Sequence, residues 1–213
     1  MARKSFVRKE GIKAARLVVI AAEGRETENI YFEAMKSSLH ASRVHVEVLH
    51  RDSDNSSPEE VFRQIQAFVK EYDIDDDDQL WVVVDRDKWT AKMLSDVATK
   101  CAQNKYFNFC VSNPCFELWL ILHLEDVMAY SPEDKNLLKD NKKVNNNDTW
   151  TTKRLRDLMN GKFHKSNYDA ESLLSNIDDA ISRAEILDVN PNDRWPQGIG
   201  TRVYRVAKSI LGR

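Results

Sequence analysis

Five apolar residues, Leu80 to Val84, run without a break into Asp85, Arg86 and Asp87. Val82, Val83 and Val84 are β-branched, and their stiff side chains favour extended backbone. A short continuous apolar run of this kind reads as a strand buried on both faces. A second run, "RLVVIAA" from Arg16 to Ala22, has the same character and leads directly into Glu23 and Gly24. Strands buried on both faces require helices above and below them, which points to a mostly parallel sheet in an α/β domain.

The rest of the first half fits that expectation. Apolar residues at helical spacing predict a helix over Thr27 to Leu39. "RVHVEVL", Arg43 to Leu49, alternates strictly, as an edge strand with one wet face would. Ser57 followed by Pro58 marks a helix start, with Val61, Ile65, Phe68 and Val69 as its apolar stripe. "DIDDDDQ" reads as a wet loop before the strand that ends at Asp85. A helix over Ala91 to Lys105 and a strand over Tyr106 to Ser112 complete four strands. Asn113 and Pro114 suggest the cap and first residue of an apolar helix, "PCFELWLILHLED".

After Pro114 no strand is expected. Ser131 to Asn147 is polar and reads as a loop, and helices are predicted over Thr151 to Met159, Ala170 to Leu187 and Gly200 to Leu211. The expected organisation is an α/β domain over residues 1–123, with a four-stranded, mostly parallel sheet. A helical region over residues 124–213 packs on it.

Composition excludes several classes. Of 213 residues, 42% are hydrophobic and 31% charged, an ordinary globular balance. No apolar run approaches the roughly 20 residues of a membrane span. The basic N-terminus is followed by too short an apolar run for a secretory signal. Cys101, Cys110 and Cys115 lack zinc-site spacing, so free thiols in a reducing cytoplasm are expected. The net charge of −2 is not that of a broad nucleic-acid-binding surface. The ends are basic, however. Arg3, Lys4, Arg8 and Lys9 near the start, and Arg202 and Arg205 near the end, are candidates for two arms that hold a polyanion.

In an α/β sheet, sites form outside the carboxyl ends of the strands. Glu23, Asp85 and Asp87 all occupy such positions, and neighbouring strands lie about 4.8 Å apart. Carboxylates crowded together raise one another's pKa unless a cation neutralises them. Mg²⁺ takes oxygen ligands and keeps several waters, so two or three carboxylates suffice. Glu117 is the only acid between Tyr106 and Leu124. On so apolar a helix it calls for a partner, the positive helix end, or a share in the same or a second cation site.

Four stretches in order, "VIAAEGRETENIYFEAM", "VVVDRDKW", "SNPCFELWLILHL" and "NPNDRWPQGIGTRVYRVAKSIL", closely resemble the RloB-like proteins of bacterial phage-defence loci. The resemblance covers nearly the whole chain, and its combined pattern EGxxTExxYF, DxD, SNPxFExWLxLH is specific. It implies a Toprim-like fold related to the nuclease domains of OLD proteins, topoisomerases and primases. It implies that Glu23 serves as acid/base or metal ligand, and that Asp85 and Asp87 hold Mg²⁺ or Mn²⁺. It also implies an ATPase partner from the same locus and a nucleic acid substrate, in an abortive-infection setting. Lys165 matches a lysine the family carries before its penultimate helix, which would touch a phosphate or stabilise transition-state charge.

Two other functions compete with a nuclease. A phosphatase or phosphotransferase of the haloacid-dehalogenase type uses DxDx(T/V), but here Thr90 comes one place late and the motif sits on a third strand. A non-catalytic subunit that binds Mg²⁺ within an ATPase complex is the other. Among further residues, Thr27 is a possible helix cap and Glu28 a possible addition to the acid cluster. His123 is read as a buried, hydrogen-bonded core residue. Cys115 is placed in a helix first turn, where the helix lowers and the nearby acids raise a thiol pKa.

Overall fold

A computed structural model describes Arg3, Lys4, Phe6 and residues 15–38, 44–50 and 55–213. Four parallel strands form where the apolar runs lie: β1 (Arg16–Ala22), β2 (Val44–Leu49), β3 (Gln79–Asp85) and β4 (Phe107–Asn113). Their helices are α1 (Thr27–Ser38), α2 (Pro58–Glu71) and α3 (Ala91–Ala102). A fifth strand, β5 (Gly200–Thr201), pairs antiparallel with β4, giving the order β2-β1-β3-β4-β5. The molecule is thus α/β, Toprim-like, with one strand more than the sequence suggests. β5 replaces the first turn of the helix predicted from Gly200. It is too short to show a period of its own.

Alternation along β1 divides the core in two. Leu17, Val19 and Ala21 join Leu80, Val82 and Val84 on the face covered by α2 and α3. Val18, Ile20 and Ala22 join Trp81, Val83 and Cys110 on the other face, under α1 and the C-terminal helices. Those helices are α4 (Glu117–Leu124), α5 (Pro132–Asp140), α6 (Trp150–Leu158), α7 (Ala170–Leu174), α8 (Ile177–Leu187) and α9 (Val203–Leu211). Residues Glu117 to His123 of α4 are all buried. β2 is the edge strand that its alternation predicts, at the end opposite β5.

Several local readings are corrected. The polar stretch after Ser131 holds α5, capped by the Ser131 hydroxyl accepting from Asp134 N at 3.1 Å. The run predicted from Ala170 to Leu187 breaks into α7 and α8. Asn113 does not cap a helix but ends β4, and the helix starts three residues beyond Pro114. "DIDDDDQ" is not uniformly wet. Asp78 is buried, and its carboxylate accepts from Leu17 N and Asp75 N, each at 2.8 Å, fixing the start of β1.

Candidate active site

The parallel strands aim their carboxyl ends at a cleft of about 770 Å³. Its walls include Glu23 after β1, Asp85 at the end of β3, Glu28 and Asn29 in α1, Glu117 at the start of α4, and Lys88 and Lys165 from loops.

Glu23 is held rigidly. Its Oε2 accepts from Asp85 N at 3.0 Å and from Trp89 Nε1 at 2.8 Å. Lys88 Nζ lies 3.7 Å from Oε1. Burial nevertheless raises its pKa, against the pull of the Asp85 and Trp89 hydrogen bonds. The turn after β3 is fixed as well, since Arg86 N and Asp87 N both donate to Pro114 O at 3.2 Å.

Glu28 belongs to the same cluster. It is 6% exposed, and its Oε1 accepts from Gly24 N at 3.0 Å. A Cβ on residue 24 would stand 1.6 Å from Glu28 Oε2, so the glycine lets the Glu28 carboxylate sit where it does. Burial, then the Glu117 and Glu23 charges, push Glu28 up to about 7. Asp85 touches solvent but lies deep in the cleft. Its pKa is raised well above the usual range by burial, then by Glu28, Glu23, Glu117 and Asp87. Asp87 is exposed at the rim and does not line the cleft, and its pKa is raised mainly by burial of its carboxyl end beside the cluster.

Glu117 differs from the rest. Lys165 Nζ is 2.5 Å from its Oε1. Burial alone would raise the Glu117 pKa, but the lysine outweighs it and holds the carboxyl low. Burial likewise would lower Lys165, and Glu117 instead drives it strongly upward. The loop that carries Lys165 is fastened to α1, because Thr27 Oγ1 donates to Lys165 O at 3.1 Å and Tyr168 OH donates to Thr27 O at 2.8 Å. The Thr27 hydroxyl therefore tethers a loop rather than capping a helix.

The structure thus brings Glu23, Asp85, Glu117 and Lys165 together, with Asp87 at the rim. Of the basic residues near the two ends, the described ones, Arg3, Lys4, Arg202 and Arg205, do not line the cleft. Lys4 pairs with Glu71 at 2.9 Å, beside Tyr72 and the start of the sheet, far from the strand ends that form the cleft. Arg3 is exposed, and Arg8 and Lys9 lie outside the described residues. Arg202 is 3% exposed, with its guanidinium bonded to Asp188 and to the carbonyls of Asp193 and Asn190. Arg205 bonds Asp188, Tyr204 OH and Pro191 O. Reading these two arginines as a polyanion arm is corrected: they neutralise a buried aspartate.

His123 is the buried core histidine expected. It contacts Tyr31 OH at 3.0 Å and Trp119 O at 2.9 Å, and burial lowers it to about 4. Cys115 is buried, and burial raises its thiol well above the ordinary value. Sequence reasoning missed Asn29 and His50, which meet at 3.2 Å on the β2 side of the cleft. Only the pairing of β2 with β1 reveals that His50 ends a neighbouring strand.

The donors suit a hard divalent cation in kind, since all are carboxylate oxygens, and among the described residues the cleft sets Arg25, Lys88 and Lys165 against the five acids Glu23, Glu28, Asp85, Asp87 and Glu117. Among the described residues no three carboxylate, thiol or imidazole groups already converge on one metal-sized position. No helix among them is long and apolar enough to cross a membrane.

Comparison with known proteins adds one finding. No curated protein and no solved structure matches the chain. A family model described as RloB-like protein matches residues 18–210 and spans both the strand-end acids and the C-terminal helices. The chain belongs to the RloB-like protein family.

Proposed function

We propose that this RloB-like protein is a divalent-cation-dependent nuclease of the Toprim type, an effector of bacterial anti-phage defence. The observation that carries the reading is the Asp85 carboxyl, set among four other carboxylates at the sheet's carboxyl edge with too little positive charge to balance them. Such crowding costs stability and calls for a counter-charge.

Glu23, Asp85, Asp87 and Glu117 are the residues that would hold Mg²⁺ or Mn²⁺. The cation, when bound, supplies Lewis acidity toward a phosphate oxygen and lowers the pKa of a water. The protein's own groups do the rest. Trp89 Nε1 and the Asp85 amide orient Glu23 as ligand or acid/base. Glu28, with its pKa near 7, is suited to hold or release a proton at neutral pH. Lys165, half exposed at the edge of the cleft, is placed to meet a phosphate. The haloacid-dehalogenase alternative gains nothing, because Asp85 ends the third strand, Asp87 follows it in the turn and Thr90 caps α3. An ATPase from the same locus is the proposed partner and a nucleic acid the proposed substrate.

The test is a nucleic-acid cleavage assay with Mg²⁺ and Mn²⁺, with and without the neighbouring ATPase, comparing wild type with Asp85→Ala. Cation-dependent cleavage that falls by about a hundredfold or more in the folded variant is expected, the scale of losing one group that stabilises charge. A folded Asp85→Ala, Asp87→Ala, Glu23→Ala triple variant that still cleaves and protects cells would refute the reading.

A further inference from the structure

Glu117 is 4% exposed and its one close cationic partner in the cleft is Lys165. Lys165 has a side chain 52% exposed, so it reaches in from the solvent side rather than being built into the core. Its backbone, not its ammonium, fastens the loop to Thr27. The same residue also lines a second cavity of about 570 Å³, with Asn147, Thr152, Arg156, His164 and Ser166. Lys165 thus stands between two cavities, with its ammonium against Glu117 in the first and solvent open to much of its side chain. Lys88 offers a contrast, because it stands at 3.7 Å from Glu23, an acid already held by two hydrogen bonds.

We propose that Lys165 and a divalent cation compete for the Glu117 carboxylate, so that binding the cation releases the Lys165 ammonium toward the second cavity and the substrate's phosphates. The proposal rests on the cation reading of the cleft. Its logic is linkage: two cationic ligands of one carboxylate oppose each other, and each weakens the other by the same factor. Lys165 thus keeps the cleft from closing on a cation too tightly, and the exchange delivers a positive charge to the substrate when the cation arrives.

Mg²⁺ and Mn²⁺ affinities measured by calorimetry on wild type, Lys165→Met, Lys165→Arg and Lys88→Met decide it. The side-chain changes spare the Lys165 carbonyl tether, and thermal melts confirm folding. Lys165→Met is expected to bind the cation about tenfold tighter, within the usual range of coupling between two ligands. Lys165→Arg, which keeps the charge, stays near wild type, and Lys88→Met gains clearly less than Lys165→Met. Equal gains from Lys88→Met and Lys165→Met would reduce the effect to net charge and overturn the exchange. Equal affinity in all four proteins would also overturn it while leaving the cation site standing. Absence of binding in all four removes the cation site itself, and the exchange with it.

Discussion

Two aspartates in this protein, Asp188 and Asp85, sit in opposite surroundings. Asp188, its side chain 1% exposed, accepts from Arg202, Arg205 and Tyr204 OH. Burial works to raise its pKa, but the Arg202 and Tyr204 hydrogen bonds win and hold it low. Asp85 lies deep in the cleft, and burial followed by the charges of Glu28, Glu23, Glu117 and Asp87 raises it. One cluster answers its carboxylate with two guanidiniums and joins β5 and α9 to the segment after α8. The other leaves its charge unbalanced at the edge of the sheet. Matched charge marks architecture here, and unmatched charge marks the place where something else must bind.

The largest effect should come from unbalancing the balanced cluster. Removing the carboxylate that both guanidiniums share leaves the buried Arg202 without its counter-charge, so Asp188→Asn should lose about 3–5 kcal/mol in urea unfolding. Asp85→Asn, without a divalent cation, should leave stability unchanged or raise it. Equal losses from the two substitutions would break the comparison.

A pH series sharpens it. In the folded protein Glu28 keeps its proton up to about pH 7, whereas the ordinary value is 4.5. The folded state then binds more protons across that window, and stability falls as the pH rises through it. In EDTA, wild type should lose on the order of 2 kcal/mol, or about 4–8 °C in Tm, between the two ends of the window relative to Glu28→Gln. Identical melting profiles for the two proteins would show that Glu28 is not crowded. Gly24→Ala should act on the same group. Its Cβ would force the Glu28 carboxylate away, costing about 1 kcal/mol and flattening the pH response. The smallest effect belongs to Lys88→Ala. Glu23 is buried, but the ammonium that faces it is 64% exposed and 3.7 Å away, so solvent screens the pair to less than about 1 kcal/mol by double-mutant cycle.

The contrast also explains what the sequence discloses. β1 and β3 are legible because continuous apolar runs admit no other burial, and Glu23 and Asp85 are legible because they end those runs. Ser57 and Pro58 reveal α2, and Ser131 and Pro132 carry the same signal for α5. The second stands without an apolar stripe behind it, because α5 buries only Leu138. Arg202 and Arg205 mislead for a different reason. A basic stretch shows its charge in the sequence, but the aspartate that cancels it lies 14 residues upstream, across a turn that the pattern does not define. Charge is a property of composition, and its neutralisation is a property of the fold. The same limit hid Asn29 and His50, which meet only because parallel pairing sets β2 beside β1.

The attachment of α9 has a kinetic consequence. The Arg16 guanidinium at the start of β1 donates to the Ser209 carbonyl, 193 residues away, and Ser209 Oγ bonds Gln79 at the start of β3 at 2.6 Å. Loop closure entropy grows only with the logarithm of length, so a latch of this span is hardly dearer at equilibrium than a short one. Speed responds differently, because contacts so distant in sequence must be found by search, and chains rich in them fold slowly. The strands carrying the acids leave the ribosome well before α9 can secure their starting ends. Refolding should therefore show a late phase in which α9 docks, and Ser209→Ala should slow that phase or speed unfolding while barely touching the early collapse of the sheet.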